Sequence, residues 1–304
     1  MPPLYRHKKN NGPAPVLWVD VDDTLLDFTG AHPAGLRGLE RWAAGHMETA
    51  RATRFTAIFE RCFKACMHGW HPRSETGSPG SNGGSAPLGN GDAVLAGRLA
   101  KRLERMQGDG PRPVRWAREV WLEIASEDSA AMLTREQMVE AAGAYWRELA
   151  PAQRLFPGVV ETLRELRTRG YRVWLLTSSD CRQMPDPNGW HYDEQAAVEW
   201  KQRRLSQVLR PVMSEVNGLV LGDPYEKSGP EFFRHAAAGL PIEPEATVVA
   251  VGDSLESDIR FARQADPRVR FGVLCDPHGR YRGGDLSGAD VRVDHLPGLL
   301  EFFF

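Results

Sequence analysis

The sequence predicts an α/β protein in which a doubly wound parallel sheet is interrupted by a long helical insert. From about residue 156 onward, short apolar runs alternate with segments of helical periodicity, which favours parallel strands joined by crossover helices. Between residues 31 and 150 the strand-like runs disappear, and apolar residues recur at helical spacing. A third observation is that the first apolar run, Val16 to Val19, ends abruptly in acidic residues.

The composition limits the functional classes before any motif is considered. A chain of 304 residues can form one large domain or two ordinary ones. With 38 basic and 40 acidic residues, no charge imbalance points to nucleic acid or to an anionic membrane. The four cysteines are too few for a disulfide scaffold and indicate free thiols. Because neither a membrane span nor a signal-peptide apolar stretch is evident, we expect a soluble cytoplasmic protein.

The stretch from residue 16 to residue 27, VLWVDVDDTLLD, is the predicted centre of the site. Its short apolar run reads as a buried strand, and Asp20 and Asp22 follow at the carboxyl end, where open α/β sheets bind ligands. Burying like charges together is costly unless a cation or a proton offsets them, so we expect a divalent metal. The alternative is that Asp and Thr only cap a helix or close a turn here.

The insert after this strand is predicted to be helical. Its apolar residues at helical spacing are Leu36, Leu39, Trp42 and Ala43, then Phe55, Ile58, Phe59, Cys62 and Phe63, and further helices fit residues 92–107, 113–126 and 134–149. Residues 74–91 are almost all Gly, Ser, Asn and Pro, which predicts a disordered loop. The insert is either a separate helical domain or a lid over the strand ends, and its position favours the lid.

The rest of the chain alternates helix and strand. The predicted strands are 172–176, which ends in Thr177, 218–221, Ala246 to Val251, which leads into Asp253, and Val269 to Leu274. The predicted helices follow Pro157, run from Asp193 to Leu209 and from Pro230 to Gly239, and follow Asp253. A polar loop is predicted between Thr177 and about Tyr192. Helices between the strands imply a parallel sheet with right-handed crossovers.

The predicted strand ends bring together groups suited to phosphoryl transfer. Since the carboxyl ends of parallel strands share one edge, Asp20, Asp22 and Thr177 can converge with Asp253 from much later in the chain. Asp20 is the candidate nucleophile, which would form an aspartyl phosphate, and Asp22 the candidate general acid and base.

The remaining roles follow from charge and donor type. Thr177 and Ser178 offer donors to phosphate oxygens, and Lys227 offers a positive charge. Asp20, Asp253 and the main-chain carbonyl of Asp22 would supply the oxygen ligands that Mg²⁺ prefers.

Four dispersed motifs give the chain a family resemblance: Asp20-Val21-Asp22-Asp23-Thr24, then Thr177, then Lys227, and last Gly252-Asp253-Ser254 followed by Asp258. In this order they resemble the haloacid dehalogenase superfamily, and specifically its phosphatases. The resemblance implies a Rossmann-like core over residues 1–30 and 156–304, and a helical cap of the first type over 31–155. It also implies a magnesium-dependent phosphatase that acts on a small phosphorylated metabolite, with Asp258 supporting the metal shell or pairing with the lysine.

Three departures from the family pattern are visible. Asp23 stands where the pattern often has Gly, Lys227 is followed by Ser228 rather than Pro, and the connection from 181 to 215 is longer than usual. Three rival functions stay open: a phosphomutase that uses the same residues, a non-catalytic regulatory or scaffolding module, and a dehalogenase. Dehalogenation is the least favoured, because dehalogenases of the superfamily lack an acid at the second position, so Asp22 favours phosphate esters.

The insert also carries a cluster of basic residues. Its members are Lys101, Arg102, Arg105, Arg112, Arg115 and Arg118, and residues 28–155 together hold 17 basic and 14 acidic residues. A mildly basic lid over an acidic floor would suit an anionic substrate, and an ordinary solvated helix face explains the same count.

Overall fold

The computed structural model describes residues 13–68, 90–107, 116–222, 226–227, 229–282 and 286–302. The strands are β1 (Val16–Val19), β2 (Arg172–Thr177), β3 (Gln183–Asp186), β4 (Gly189–Tyr192), β5 (Gly218–Leu221), β6 (Val248–Gly252), β7 (Val269–Cys275) and β8 (Val291–Val293). The α-helices are α1 (Phe28–His46), α2 (Thr49–His68), α3 (Asn90–Gln107), α4 (Arg118–Asp128), α5 (Arg135–Ala152), α6 (Val159–Thr168), α7 (Glu194–Val208), α8 (Pro230–Gly239) and α9 (Phe261–Ala265). A π-helical segment (Leu255–Arg260) precedes α9, and a 3₁₀ segment (Leu296–Glu301) follows β8.

The main sheet has six strands in the order β5-β2-β1-β6-β7-β8, and every neighbouring pair is parallel. Strand β1 lies at the centre, where its last residue, Val19, is opposite Leu175 of β2 and Val251 of β6. All four residues of β1 are buried, which explains why its sequence is apolar without alternation. The carboxyl ends of β1, β2 and β6 therefore lie side by side.

Helices cover both faces of this sheet. On one face, α6 and α7 pack Leu163, Leu166 and Leu205 against the strands. On the other face, α8 contributes Phe232 and Phe233. Burial on both faces is what a parallel sheet with crossover helices requires, and the predicted doubly wound α/β fold is confirmed.

The five helices α1 to α5 form a cluster with its own apolar core. Its large members are Phe55, Phe59, Phe63, Trp121, Tyr145 and Trp146. Two helix starts are capped as their sequences favour: Asp27 accepts from the Gly30 amide before α1, and Thr134 forms a capping box with Gln137 at α5. Residues 74–89 of the predicted loop lie outside the described residues.

One prediction is wrong, and one strand was not predicted. The polar stretch before Tyr192 is not a loop but a hairpin of β3 and β4, in which Asp186 accepts from the Asn188 amide at the turn. Pro185 and the polar residues around it hid the alternation that marks a strand. Strand β8 was also not predicted, because a run of three residues gives too little periodicity.

The hairpin packs against the helical cluster. The Arg182 guanidinium, just before β3, lies 3.2 Å from the Glu119 carboxylate of α4, and both side chains are buried. Arg135 of α5 donates to the Asp186 carbonyl at 3.3 Å. The long connection from 181 to 215 thus joins the sheet to the insert. Among the helices of the described ranges, none is both long and apolar enough to cross a membrane.

Candidate active site

The adjoining ends of β1, β2 and β6 form the floor of a cavity of about 160 Å³. Asp20 follows β1, Thr177 ends β2, and Asp253 follows β6, so the three predicted positions are brought together by strand pairing. The Asp20 amide donates to the Val251 carbonyl at 2.9 Å, which continues the ladder one residue beyond the strand. The cavity also contacts Asp22, Ser178, Lys227 and Asp258.

Asp20 is a buried carboxylate, 8% exposed, with defined partners on both oxygens. Lys227 Nζ donates to Oδ1 at 2.6 Å, and Thr24 Oγ1 donates to Oδ2 at 3.2 Å. Burial raises the pKa of Asp20 well above its ordinary value, and the charges of Asp258 and Asp253 add to this, while Lys227 opposes it. The ionised form of Asp20 therefore needs more positive charge than Lys227 supplies.

Lys227 links Asp20 after β1, Asp258 after β6 and the end of β2. Its Nζ contacts Asp258 as well as Asp20 and donates to the Leu176 carbonyl at 3.1 Å. Burial disfavours the ammonium, but the two carboxylates outweigh burial and raise the pKa of Lys227, so the side chain is charged. Its backbone amide donates to Ser178 Oγ at 3.1 Å, which holds Lys227 against the end of β2.

Asp258 reaches the site from the π-helical segment. Its Oδ2 accepts from the Ser254 amide at 2.9 Å, and a Cβ at Gly252 would overlap its carboxylate. A glycine at the end of β6 is therefore required for this close approach.

Three carboxylates form a group that could hold a cation. Ligand oxygens of Asp20, Asp253 and Asp258 all lie within 4.8 Å of one another. Burial raises the pKa of Asp253, Asp258 adds to this, and the ion pair with Arg280 offsets part of it. An all-oxygen donor set with excess negative charge fits a hard divalent cation such as Mg²⁺.

Asp22, predicted as a metal ligand through its carbonyl and as general acid and base, turns its carboxylate away from this group. The carboxylate is held by two cations of α7: Lys201 Nζ contacts Oδ2, and Arg204 donates to both oxygens at 3.0 and 3.2 Å. Burial alone would raise the pKa of Asp22, but Arg204 and Lys201 hold it far below its ordinary range. In this arrangement Asp22 is an ionised carboxylate.

The same two cations hold a second carboxylate, Asp180. Arg204 donates to its two oxygens at 2.9 and 3.0 Å, and Lys201 lies 3.4 Å away. Two carboxylates and two cations thus balance one another, which makes a buried cluster of four charges tolerable.

Thr177 and Ser178, predicted to bind phosphate, both line the cavity. Thr177 is 1% exposed, and its hydroxyl lies 3.4 Å from the Ser178 carbonyl. Their position next to Lys227 leaves hydroxyl donors beside the lysine that contacts Asp20.

The comparison with known proteins agrees with this geometry. A sequence model of the haloacid dehalogenase-like hydrolases matches residues 16–266. The chain belongs to the haloacid dehalogenase-like hydrolase family.

Two curated relatives of this hydrolase match over part of its length. The phosphoglycolate phosphatase of Nitrosococcus oceani is 28% identical over 152 residues, which are 47% of this chain and 54% of the relative. The glyceraldehyde 3-phosphate phosphatase of Methanopyrus kandleri is 29% identical over 153 residues, 48% of this chain and 55% of the relative. The matched part spans about half the length of these relatives.

Solved structures show the same fold. A HAD hydrolase of Bacillus subtilis, crystallised with magnesium, aligns with a TM-score of 0.54 at 14% identity, covering 95% of this chain and 98% of that protein. At this identity the match shows the fold alone.

The departure of this hydrolase at Asp23 has a backbone explanation. Asp23 has φ +59°, the left-handed conformation that favours glycine, and Asp is among the residues that tolerate it. Its carboxylate accepts from the Thr29 amide at 2.8 Å and from the Thr29 hydroxyl at 2.6 Å, and His278 Nε2 lies 3.2 Å away. The extra acid lines the cavity, but its carboxylate is paired with the start of α1 and with His278.

Sequence reasoning missed four charged residues of this site: Asp180, Lys201, Arg204 and Arg280. Lys201 and Arg204 are three residues apart and therefore share a face of α7, a spacing that was visible in the sequence. A solvated helix gives the same pattern, and only the contacts of Lys201 and Arg204 with Asp22 and Asp180 show that this face is buried.

Proposed function

We propose that this hydrolase is a magnesium-dependent phosphatase that acts on a small phosphate monoester through an aspartyl-phosphate intermediate. The observation that carries the proposal is the position of Asp20: a buried carboxylate that lines the cavity, bonded to Lys227 and within 4.8 Å of two further carboxylates. The two curated relatives are named for phosphate esters, which supports the same reaction class.

In the first half-reaction, Asp20 attacks phosphorus and the bond to the ester oxygen breaks. Lys227 and the donors of Thr177 and Ser178 bind the phosphoryl oxygens, whose charge must be neutralised before a carboxylate can approach. Asp20, Asp253 and the Asp22 carbonyl would hold Mg²⁺, with Asp258 beside them. When bound, the ion supplies further positive charge for the phosphoryl oxygens.

The second half-reaction is the attack of water on the aspartyl phosphate, which releases inorganic phosphate and regenerates Asp20. Asp22 receives the proton of that water. Its carboxylate is ionised, as a base must be, but Lys201 and Arg204 lower its pKa and therefore its affinity for the proton. Asp22 must be released from both cations before it accepts a proton here or donates one to the leaving oxygen in the first half.

The helices α1 to α5 line the other side of the cavity. Their side chains there are Phe28, Met67, Trp116, Arg118 and Trp146, with Trp116 just before α4. If the insert moves over the floor, this largely apolar wall excludes water from the phosphoryl group and strengthens the charge interactions there. The predicted lid role of the insert stays part of this proposal.

The nucleophile is tested by Asp20→Asn. The amide cannot form the acyl phosphate, so phosphate release from an aryl phosphate should fall by about a thousandfold or more, with unchanged circular dichroism. The exposed Asp294→Asn is the matched control and should keep the wild-type rate. A wild-type rate in the Asp20 variant would contradict the assignment, and transfer of the phosphoryl group to another hydroxyl would contradict hydrolysis.

The metal is tested by its removal. EDTA should abolish turnover and added Mg²⁺ should restore it, because the three carboxylates leave negative charge that the two neighbouring cations do not balance. Full activity in EDTA would exclude the role given to Asp253.

A further inference from the structure

Arg118, the first residue of α4, is a buried cation on the insert side of the cavity. It is 3% exposed and lines the same cavity as Asp20 and Lys227. Another member of the basic cluster, Arg102, is neutralised by Glu123 and Glu127. Arg118 differs, because no carboxylate in the described ranges forms an ion pair with it.

The surroundings of Arg118 are aromatic. Its guanidinium carbon lies 4.5 Å from the ring centroid of Trp121 and 4.6 Å from that of Trp146, with Phe28, Tyr145 and Trp116 at 5.6 to 5.8 Å. Its Nη1 donates to the Trp116 carbonyl, while its Nε has no hydrogen-bond partner. Aromatic faces stabilise a cation but leave its charge in place, so an anion that reaches this guanidinium meets a buried charge that no ion pair in the described ranges neutralises.

Burial and the charge of Arg118 lower the pKa of the nearby His32. The imidazole Nδ1 lies 2.8 Å from the Tyr145 hydroxyl, and burial followed by the charge of Arg118 lowers the pKa of His32 to about 3. His32 is therefore neutral and adds no second cation to this part of the insert.

Two aromatic rings link this cation to the floor of the site. Arg204, which holds Asp22, lies 5.4 Å from the Trp146 centroid and 5.7 Å from the Phe28 centroid, so Arg118 and Arg204 contact the same two rings. Both rings line the cavity. Arg118 and Asp20 line this one cavity of about 160 Å³, so a ligand that contacts both must be small.

We propose that Arg118 determines substrate specificity by binding a carboxylate on the organic part of the phosphate monoester. The inference rests on the proposed phosphatase function and narrows it to short, carboxylated esters. Of the substrates in the names of the two curated relatives, phosphoglycolate carries a carboxylate and glyceraldehyde 3-phosphate does not. Arg118 favours the first chemistry, because a planar guanidinium binds a carboxylate through paired donors.

The test compares two esters of equal length, 2-phosphoglycolate and 2-hydroxyethyl phosphate, by kcat/KM with Mg²⁺ present. Wild type should prefer the carboxylated ester, and Arg118→Met should lower the ratio of the two kcat/KM values by about 30-fold or more. Arg118→Lys, which keeps the charge but not the fork, should retain an intermediate ratio. Arg37→Met, an exposed cation of the same insert, should leave the ratio within about twofold.

Binding separates this inference from the phosphatase proposal. Calorimetry with phosphonoacetate and 2-hydroxyethylphosphonate needs no turnover, and only the first should bind more weakly to Arg118→Met. If wild type hydrolyses 2-hydroxyethyl phosphate and 2-phosphoglycolate with equal kcat/KM, the role of Arg118 is wrong and the phosphatase proposal stands. If no ester is hydrolysed but phosphonoacetate binds through Arg118, the phosphatase proposal is wrong and the anion site stands. Equal losses on both esters would mean that Arg118 serves only packing.

Discussion

One residue, Asp23, shows how a turn and a site are fitted to the same backbone. The chain must reverse directly after Asp22, and position 23 takes φ +59° to do so. Glycine meets that demand without strain, whereas any Cβ in the left-handed region costs about 1–2 kcal/mol. Asp tolerates the conformation, and its carboxylate contacts Thr29 and His278, which fastens the turn to α1.

We expect Asp23→Gly to be more stable than Asp23→Ala by about 1 kcal/mol, because both lose the carboxylate but only alanine keeps the strained Cβ. Free energies of unfolding from urea titrations measure the difference. At Glu140, exposed in the middle of α5, the same two substitutions should give the opposite order, since glycine weakens a helix interior. An alanine variant as stable as the glycine variant at position 23 would refute the strain argument.

The hairpin of β3 and β4 and helix α7 act together as one extension beside the sheet. Arg182 fastens the hairpin to α4 of the insert, and α7 supplies Lys201 and Arg204 to Asp22. A third link joins the hairpin to the neighbour of Lys227: Tyr192 donates to the Glu226 carboxylate at 2.9 Å. The extension thus touches the insert, Asp22 and Glu226.

Glu226 makes the stability of this link depend on pH. Burial raises the pKa of Glu226 to about 7, although the Ser179 hydroxyl and amide and Tyr192 donate to it and partly offset this. Between about pH 4.5 and pH 7 the folded protein binds a proton that the unfolded chain has lost, so stability falls as the pH rises through this window.

Glu226→Gln removes the ionisation and keeps a side chain of the same shape. At about pH 8 the variant should be more stable than wild type by about 2 kcal/mol, and below about pH 5 this advantage should vanish. Unfolding free energies at both pH values provide the measurement. Glu140→Gln, at an exposed position of α5, is the matched control for the same chemical change. A constant difference for Glu226→Gln would show that its ionisation does not affect folding.

The strand ends of the site could be predicted because the information is local. Asp20, Thr177 and Asp253 each lie at the end of a short apolar run. Because parallel strands bring their carboxyl ends to one edge of the sheet, the strand assignment alone places these residues together. Lys201 and Arg204 could not be placed in this way. Their placement depends on the tertiary contacts that bring α7 to Asp22, just after β1. A solvent-exposed helix could have the same charged sequence.

Across the whole molecule, the fold concentrates negative charge at one edge of the sheet. The oxygens of Asp20, Asp253 and Asp258 lie within 4.8 Å of one another, while Lys227 and Arg280 are the cations that contact them in the described ranges. The raised pKa values of Asp20 and Asp253, caused first by burial, show that ionising these groups opposes folding. The buried sheet supplies the stability that tolerates this cost.

This view predicts that Asp253→Asn stabilises the metal-free protein. The carboxyl of Asp253 has a folded pKa above its unfolded value, so its penalty is complete at about pH 8 and disappears in acid, where both forms are protonated. At about pH 8 in EDTA, the free energy of unfolding of the variant should be about 1–2 kcal/mol above that of wild type.

Mg²⁺ should reverse the order of stability. An ion that binds only the folded state adds about 2.7 kcal/mol at a hundredfold excess over its dissociation constant, and only wild type keeps the Asp253 carboxylate as a ligand. Urea titrations with EDTA and with Mg²⁺, with Asp294→Asn as the exposed control, measure both effects. A wild type that is more stable than the variant in EDTA, or a variant that responds to Mg²⁺ as wild type does, would mean that Asp253 neither burdens the fold nor binds the ion.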